Sequence, residues 1–179
     1  GLSLGDYTVT ITDNNGCTAI SSASNTEPTS MTASATGEML LCFGDNDGDI
    51  DLTVSGGTGP YTFEWNNGAG TDADPSGLAA GDYTVTITDN NGCMIESSAS
   101  ISQPVELFAT ALGQPLLCFG ASNGTIDLTV SGGSQPYTYQ WDNSAGDMED
   151  PTGLTAGDYA VTITDNNGCT IPLEIDVTI

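Results

Sequence analysis

The sequence predicts an all-β protein built from tandem small antiparallel β-sandwich modules, each 76 residues long. The phrase GDYTVTITDNNGC begins at Gly5 and again at Gly81, and it returns with one change at Gly157. In the first two copies apolar residues alternate with threonines, and the third keeps this alternation except at Ala160; this is the period of a strand with one buried face. No stretch shows the 3.6-residue apolar period of an amphipathic helix. Self-similarity at a fixed period is typical of an array of one structural unit.

The repeat divides the chain into three parts. Residues 28–103 and 104–179 are complete modules that align without a gap, so that Trp65 matches Trp141. Residues 1–27 align with the last part of a module, and we interpret them as the C-terminal part of a truncated repeat. We therefore expect the chain to be a window from a longer polypeptide in which such modules follow one another.

The first half of a complete module contains three predicted strands. Residues 31–36 form the first strand, and the apolar segment 40–43 then enters the core. Residues 49–55 alternate between apolar and polar and form the second strand. After the glycine-rich loop 56–60, the aromatic-rich residues 61–66 form the third strand.

The second half of the module contains an irregular segment and a hairpin. Residues 68–80 carry a Pro-Ser-Gly turn and no regular alternation. Tyr83, Val85 and Ile87 then alternate with threonines. The Asp-Asn-Asn-Gly that follows is a strong turn signal because Asn and Gly tolerate positive φ. Residues 93–101 form the returning strand, which gives six or seven short strands per module.

Aromatic residues predict the core of each module. Trp65 and Tyr83 in the first complete module match Trp141 and Tyr159 in the second. Such residues in a small sandwich commonly fill the core. A module of this size buries limited apolar area, so we expect a disulfide and packing against neighbouring modules to stabilise it.

The five cysteines leave several pairings open. Cys42 and Cys93 lie 51 residues apart, as do Cys118 and Cys169. We expect these two bridges within modules, with Cys17 bonded to a cysteine upstream of the window. Reduced, buried cysteines are one alternative, and pairing between modules (Cys17 with Cys42, Cys93 with Cys118) is another. Disulfides would indicate an oxidising compartment.

The charged side chains are all acidic. Lys, Arg and His are absent, whereas Asp and Glu number 24, and the formal net charge is −24. Nucleic acid and anionic membrane surfaces are polyanions, so this field argues against both as partners. The carboxylates either form a solvated, self-repelling surface or pair with dissolved divalent cations.

One acidic stretch is a candidate calcium site. Four aspartates alternate around Gly48, and Ca²⁺ prefers six to eight oxygen ligands; they are Asp45, Asp47, Asp49 and Asp51. A tight acidic turn that leads into a strand is the alternative, because the same stretch of the next module keeps only Asp127. No other cofactor is expected.

A weaker acidic cluster recurs in both complete modules. It consists of Asp72 and Asp74 before Pro75, and of Asp147, Glu149 and Asp150 before Pro151. We expect a solvated loop here.

Catalysis finds no support in the sequence. Without His, Lys or Arg there is no usual general base, phosphate clamp or imidazole metal ligand, and no Gly-x-Ser-x-Gly motif occurs. Nothing distinguishes a catalytic pair of carboxylates from the other acidic residues. We predict that the chain is not an enzyme.

Two segments carry a family resemblance. CFGDNDGDIDLTVSGGTGPYTFEWNNGA at residues 42–69 and GLAAGDYTVTITDNNGC at residues 77–93 resemble the SprB repeat of Bacteroidetes surface proteins. The resemblance implies a module in the style of PKD and immunoglobulin-like domains. It also implies a large cell-surface protein exported by the type IX system, of the kind that includes gliding adhesins.

Three functions fit these observations. The first is the structural repeat shaft of a secreted cell-surface filament or giant adhesin, whose partners are adjacent repeats and other filament chains. The second is a multivalent repeat that binds carbohydrate or a surface. The loops 70–74 and 146–150 differ between modules and lack aromatic residues, which favours the shaft. The third is a spacer in a secreted enzyme. We expect an extracellular location and no direct membrane insertion.

Overall fold

The computed structural model describes residues 1–143 and 145–179, and it confirms the all-β fold. The strands in the described residues are β1 Gly5–Thr12, β2 Thr18–Asn25, β3 Thr32–Gly37, β4 Ile50–Ser55, β5 Thr62–Trp65, β6 Gly81–Thr88, β7 Met94–Ile101, β8 Phe108–Gln114, β9 Gly124–Ser131, β10 Thr138–Trp141, β11 Thr152–Leu154, β12 Gly157–Thr164 and β13 Thr170–Val177.

Each complete module is a small sandwich of two antiparallel sheets. In residues 28–103 one sheet pairs β3 with β4, and the other has the order β5-β6-β7. In residues 104–179 the two sheets have the orders β11-β9-β8 and β10-β12-β13. The strand β3 lies beside β7, and β8 lies beside β13, so the two sheets of a module adjoin.

The core of each module lies between its two sheets. Along β6 the residues Tyr83, Val85 and Ile87 are buried, while the threonines between them are half-buried. From β4, Ile50 and Leu52 join the same apolar cluster. A separate, equivalent cluster fills the second complete module. Burial of each such aliphatic side chain contributes roughly 1.5–3 kcal/mol, which is why the alternation decides the strand positions.

The predicted strands are present, with ends displaced by one or two residues. The described residues contain five strands in the first complete module and six in the second, whereas the sequence predicted six or seven. The extra strand of the second module is β11. At the equivalent place in the first module, a single bridge joins Gly48 to Leu78.

The hairpin β1–β2 in residues 1–27 stands apart from these sandwiches. Its two strands form a sheet of their own in the described part of the chain. The side chains of Val9 and Ile11, which match the buried Val85 and Ile87, are exposed. The hairpin therefore has the backbone pairing of a module but not its core.

The hairpin turn of a complete module lies at the end where the chain enters that module. In the first complete module, the turn residue Asp89 accepts a hydrogen bond from the N–H of Thr58 (3.0 Å). The neighbouring N–H of Gly57 donates to the carbonyl of Thr29 (2.8 Å), near the start of the module. The second complete module has the same arrangement. The cysteine that ends each turn therefore lies at the entry end.

The loop after the first strand lies at the opposite end, where the chain leaves the module. The N–H of Leu40 donates to the carbonyl of Ser102 (2.9 Å), and the N–H of Gly44 donates to Oε1 of Gln103 (2.9 Å). The strand β7, with eight residues, separates the two ends. At 3.3 Å per residue it spans roughly 26 Å.

The predicted disulfides within modules are wrong. Cys42 is bonded to Cys169 of the next module, and their Cα atoms are 5.7 Å apart. Cys17, Cys93 and Cys118 are free and exposed. Neither Cys42–Cys93 nor Cys118–Cys169 forms, because each pair lies at opposite ends of its module and a disulfide requires Cα atoms within about 7 Å. The alternative pairings Cys17–Cys42 and Cys93–Cys118 do not form either.

Candidate functional site: the junction between modules

The junction of the two complete modules consists of a turn, a loop and the linker beside them. We name residues 165–169 the junction turn and residues 40–44 the junction loop. The bond between Cys42 and Cys169 joins them. In the linker, residues 102–107, the carbonyl of Ser102 accepts a hydrogen bond from the N–H of Leu40. The carbonyl of Val105 accepts one from the N–H of Gly133. Two modules that are consecutive in sequence are therefore also joined by a side-chain bond.

A buried carboxylate organises the junction turn. Oδ1 of Asp165 accepts hydrogen bonds from the N–H groups of Asn167 (2.9 Å) and Cys169 (2.9 Å). Its Oδ2 accepts a third bond, from the N–H of Ser134 (2.8 Å). Asp side chains commonly close turns by bonding N–H groups just ahead of them. Asp165 therefore fixes the position of Cys169 and attaches the turn to the neighbouring loop.

Hydrogen bonds of this kind favour the charged form of Asp165 and of its equivalent Asp89 in the first complete module. Burial alone raises the pKa of Asp165, but the N–H donors of Ser134, Cys169 and Asn167 outweigh it and lower the pKa. For Asp89, the N–H of Cys93 is the main cause of a lowered pKa. Hydrogen bonds to the ionised form favour that form.

A pair of glycines allows the linker to approach the junction turn. Gly132 and Gly133 both have positive φ, at 72° and 57°. A Cβ atom on Gly132 would overlap the carbonyl oxygen of Glu106, and the N–H of Gly133 donates to the carbonyl of Val105 (2.8 Å). Other residues rarely adopt this backbone and would lack the space, which accounts for the Ser-Gly-Gly motif.

Polar contacts accompany the disulfide between the two modules. The Nδ2 group of Asn167 donates to the carbonyl of Leu41 (2.9 Å) in the junction loop and to Oγ of Ser134 (3.0 Å). The cleft beside the bond is lined by residues of both modules, among them Phe43 and Ile171. The loop and the turn thus recognise one another through a directed hydrogen bond as well as through their sulfur atoms.

The candidate calcium residues do not form a metal cluster. Asp45, Asp47, Asp49 and Asp51 are all exposed. Ile50 and Leu52 point into the core, so Asp49 and Asp51, which alternate with them, point to solvent. Within residues 1–143 and 145–179, no three carboxylate, thiol or imidazole groups converge to hold a metal ion. Calcium binding by these four residues stays a prediction from the sequence.

The second acidic cluster has a structural role at one position. Oδ1 of Asp74 accepts a hydrogen bond from the N–H of Leu52 (2.9 Å), and Asp150 does the same for Leu128 (2.9 Å). Asp72, Asp147 and Glu149 are exposed, as expected for a solvated loop. Burial, with a smaller contribution from the charge of Glu149, raises the pKa of Tyr139 to about 12.

The predicted core aromatics lie inside the modules; Trp65, Tyr83, Trp141 and Tyr159 are all buried. Each tryptophan has a partner for its polar group. Nε1 of Trp65 donates to the carbonyl of Asp72 (2.9 Å), and Nε1 of Trp141 donates to the carbonyl of Met148 (2.8 Å). The loops before Pro75 and Pro151 therefore bind the tryptophans of their own modules.

Sequence reasoning missed the roles of the carboxylates of Asp89 and Asp165, which tie each hairpin turn to a distant loop. It identified their segment as a turn but not the third hydrogen bond, which comes from the distant residues Thr58 and Ser134. The available signal was the Asp that precedes Asn-Asn-Gly-Cys in every copy of the phrase. An Asp at the start of a turn with a cysteine four residues later indicates that the turn positions the cysteine.

The family comparison matches one segment in each complete module. Residues 40–70 and 114–146 match the model of the SprB repeat. The resemblance to the SprB-repeat family is confirmed. Each SprB match begins at or just before a loop equivalent to the junction loop and ends after the core tryptophan, so it includes Cys42 and Cys118. No curated protein matches the chain.

Solved structures with similar strand arrangements include immunoglobulin and fibronectin modules. The DIP-gamma Ig1 and Ig2 pair is 12% identical over 86% of this chain and 97% of that one, with a TM-score of 0.42. Fibronectin(III)-like modules of Clostridium thermocellum CbhA are 15% identical over 84% and 94%, with a TM-score of 0.34. A C-terminal fragment of intimin, solved with an intimin receptor domain, is 16% identical over 86% and 64%, with a TM-score of 0.42. Among the described residues, no helix has the length and hydropathy needed to cross a membrane.

Proposed function

We propose that the chain is part of the structural shaft of a secreted cell-surface filament or giant adhesin, of the gliding or adhesion type that the type IX system exports. Its SprB repeats would transmit load between an anchored end and an adhesive end of the whole protein. The role is non-catalytic, and the location is the outside of a bacterial cell. Besides adjacent repeats, its partners would be other chains of the filament.

The observation that carries this proposal is the disulfide between Cys42 and Cys169. It joins the exit end of one module to the entry end of the next. When the chain is pulled from its termini, the force passes through the disulfide, so the residues between Cys42 and Cys169 are not stretched. A module-to-module bond of this kind suits a load-bearing element.

The surface supports the same role. A net charge of −24 with no Lys or Arg keeps the shaft soluble and, by repulsion along the chain, extended. The loops before Pro75 and Pro151 bind the core tryptophans of their own modules and present no exposed aromatic platform. Recognition of carbohydrate commonly uses such a platform, so the shaft accounts for these loops better than a binding face does.

Force–extension measurement of the whole chain tests the proposal. The two termini are tethered, and the contour length after full unfolding is compared between the oxidised and the reduced protein. The bond removes the 127-residue separation of its cysteines from the extensible chain. At 3.3–3.6 Å per residue, the oxidised chain should be shorter by roughly 420–460 Å.

A matched variant makes the measurement specific. Cys42→Ser should extend to the full length even without reductant. Equal lengths for the oxidised and reduced chains would remove the load-bearing argument. Bonds within modules would each shorten the chain by 51 residues and together by roughly 340–370 Å, which is a resolvable difference.

A further inference from the structure

The free cysteines occupy the same positions as the bonded ones. Cys118 lies in the second complete module where Cys42 lies in the first, 76 residues later. Cys93 lies where Cys169 lies, and Cys17 lies there in the copy before. All three are exposed, whereas the bonded Cys42 and Cys169 are half-buried. The chain thus contains one joined loop and turn together with unjoined copies of each.

The residues around these cysteines differ in the same way. Phe43 in the junction loop is 48% exposed, whereas its equivalent Phe119 is 90% exposed. Asn91, the equivalent of Asn167, bonds Oγ1 of Thr58 (3.0 Å) but no carbonyl of another module. The unjoined loop and turn therefore keep the apolar surface and the hydrogen-bond donor that the joined pair uses.

We propose that residues 116–120 and 89–93 are docking sites for a further module of the same array. The loop at Cys118 takes the turn of a following module, and the turn at Cys93 takes the loop of a preceding one. Continuity with the existing junction identifies the occupant, because the partner must carry the matching half. This inference requires only the repeat and the observed bond, not the filament function.

The covalent step needs an oxidant, for which a low-molecular-weight disulfide such as oxidised glutathione serves. The Cys118 thiolate attacks one glutathione sulfur, forms a mixed disulfide and releases one glutathione thiolate. The thiolate of the incoming turn cysteine then attacks the Cys118 sulfur and releases the second. Two protein thiols are oxidised to one disulfide, and one glutathione disulfide is reduced to two thiols.

If every junction carried a disulfide, two separate covalent paths made of backbone segments and disulfides would run side by side along the array. Each path runs from a turn cysteine to the loop cysteine 25 residues later, as from Cys93 to Cys118, and then crosses a disulfide. Most of these 25 residues are already extended, since they include β7 and β8. Fully stretched they reach roughly 80–90 Å. Such an array would lengthen little even if its modules lost their cores.

An extended chain tests the proposal. A second copy of residues 104–179 is fused after Ile179, so that the junction follows the same register, and the exposed substitutions Leu117→Val and Thr170→Ser in the copy distinguish its cysteine peptides by mass. The protein is oxidised with glutathione disulfide, free thiols are alkylated, and linked peptides are identified by mass spectrometry. We expect Cys42 bonded to Cys169 and Cys118 bonded to the appended copy of Cys169. Cys17, Cys93 and the appended copy of Cys118 should be alkylated.

The first bond serves as the control for folding in the same molecule. If Cys42–Cys169 forms while Cys118 is alkylated or bonded elsewhere, the proposal is overturned. If neither bond forms, the junction itself is contradicted and the proposal fails with it. The Cys118→Ser variant of the extended chain should leave the appended copy of Cys169 alkylated and Cys42–Cys169 intact. A new partner for that appended cysteine in this variant would show that pairing is unspecific.

Discussion

The hairpins β1–β2 and β6–β7 begin with the same thirteen residues but have opposite surroundings. Val9 in the first hairpin is 54% exposed, and Val85 in the second is fully buried. Both hairpins have the same register along their paired strands, from Gly5 with Asn25 and from Gly81 with Ile101. Strand pairing and turn geometry are therefore encoded within the hairpin, whereas its core is supplied by the other strands of the module.

The turns of the two hairpins share two hydrogen bonds and differ in a third, which a residue outside the hairpin donates. Oδ1 of Asp13 accepts the N–H groups of Asn15 (2.9 Å) and Cys17 (2.8 Å), as Asp89 does for its own turn. Only Asp89 has a third donor, Thr58, because the loop that carries this donor belongs to the earlier part of a complete module. The contribution of each shared residue to stability should therefore depend on the copy in which it lies.

The largest difference is expected for the isoleucine that the two hairpins share. Ile87→Ala removes a fully buried side chain and should lower the free energy of unfolding by about 2–5 kcal/mol. Ile11→Ala removes an exposed one and should change it by less than about 0.5 kcal/mol. Denaturant unfolding followed by tryptophan fluorescence measures both. Equal losses would mean that residues 1–27 share a core with the rest of the chain.

A smaller difference in the same direction is expected for the turn aspartates. Asp89→Ala leaves three N–H donors without their acceptor, one of them in another loop, and should lower the Tm. Asp13→Ala affects two exposed donors and should leave the Tm of the modules unchanged. Thermal unfolding by circular dichroism compares the variants. A lower Tm for Asp13→Ala alone would contradict the assignment of these bonds.

The smallest effect is a pH dependence of the Asp89 contribution. Its pKa is lowered in the folded protein, so its stabilisation is present above the unfolded pKa of about 4 and is lost as the pH falls below that value. The difference in Tm between the wild type and Asp89→Asn should therefore shrink as the pH is lowered from about 6 to about 2. A difference that stays constant or widens would argue against stabilisation of the charged carboxylate.

The sequence allowed the strands to be predicted because their signals are local. Alternation along β6 places Val85 and Ile87 on one face of the strand whatever the surrounding strands are, and the other strands of the module then bury that face. The partner of Cys42 could not be obtained in this way. Spacing in the sequence does not show at which end of a module a cysteine lies, and that end decides which cysteines meet. Separations of 51 residues and of 127 residues fit the repeat equally well.

The acidic stretch shows the same limit. Four alternating aspartates indicated calcium, but Asp51 lies in β4, where an acidic residue also fits the solvent face of a strand whose other face carries Ile50 and Leu52. An exposed acidic stretch next to a strand fits both a solvated surface and a cation site, so the spacing alone does not identify a calcium site. Asp74 has a clear role for the opposite reason, since it bonds a backbone N–H that no sequence neighbour satisfies.

Disulfide mapping of the intact chain tests the central claim, that consecutive modules are joined end to end by a loop and a turn. The protein is alkylated without reduction, cleaved at its acidic residues, and analysed by mass spectrometry before and after reduction. The junction predicts one linked pair of peptides, with Cys42 and Cys169, and alkylated Cys17, Cys93 and Cys118. Linked peptides with Cys42 and Cys93, or with Cys118 and Cys169, would contradict it.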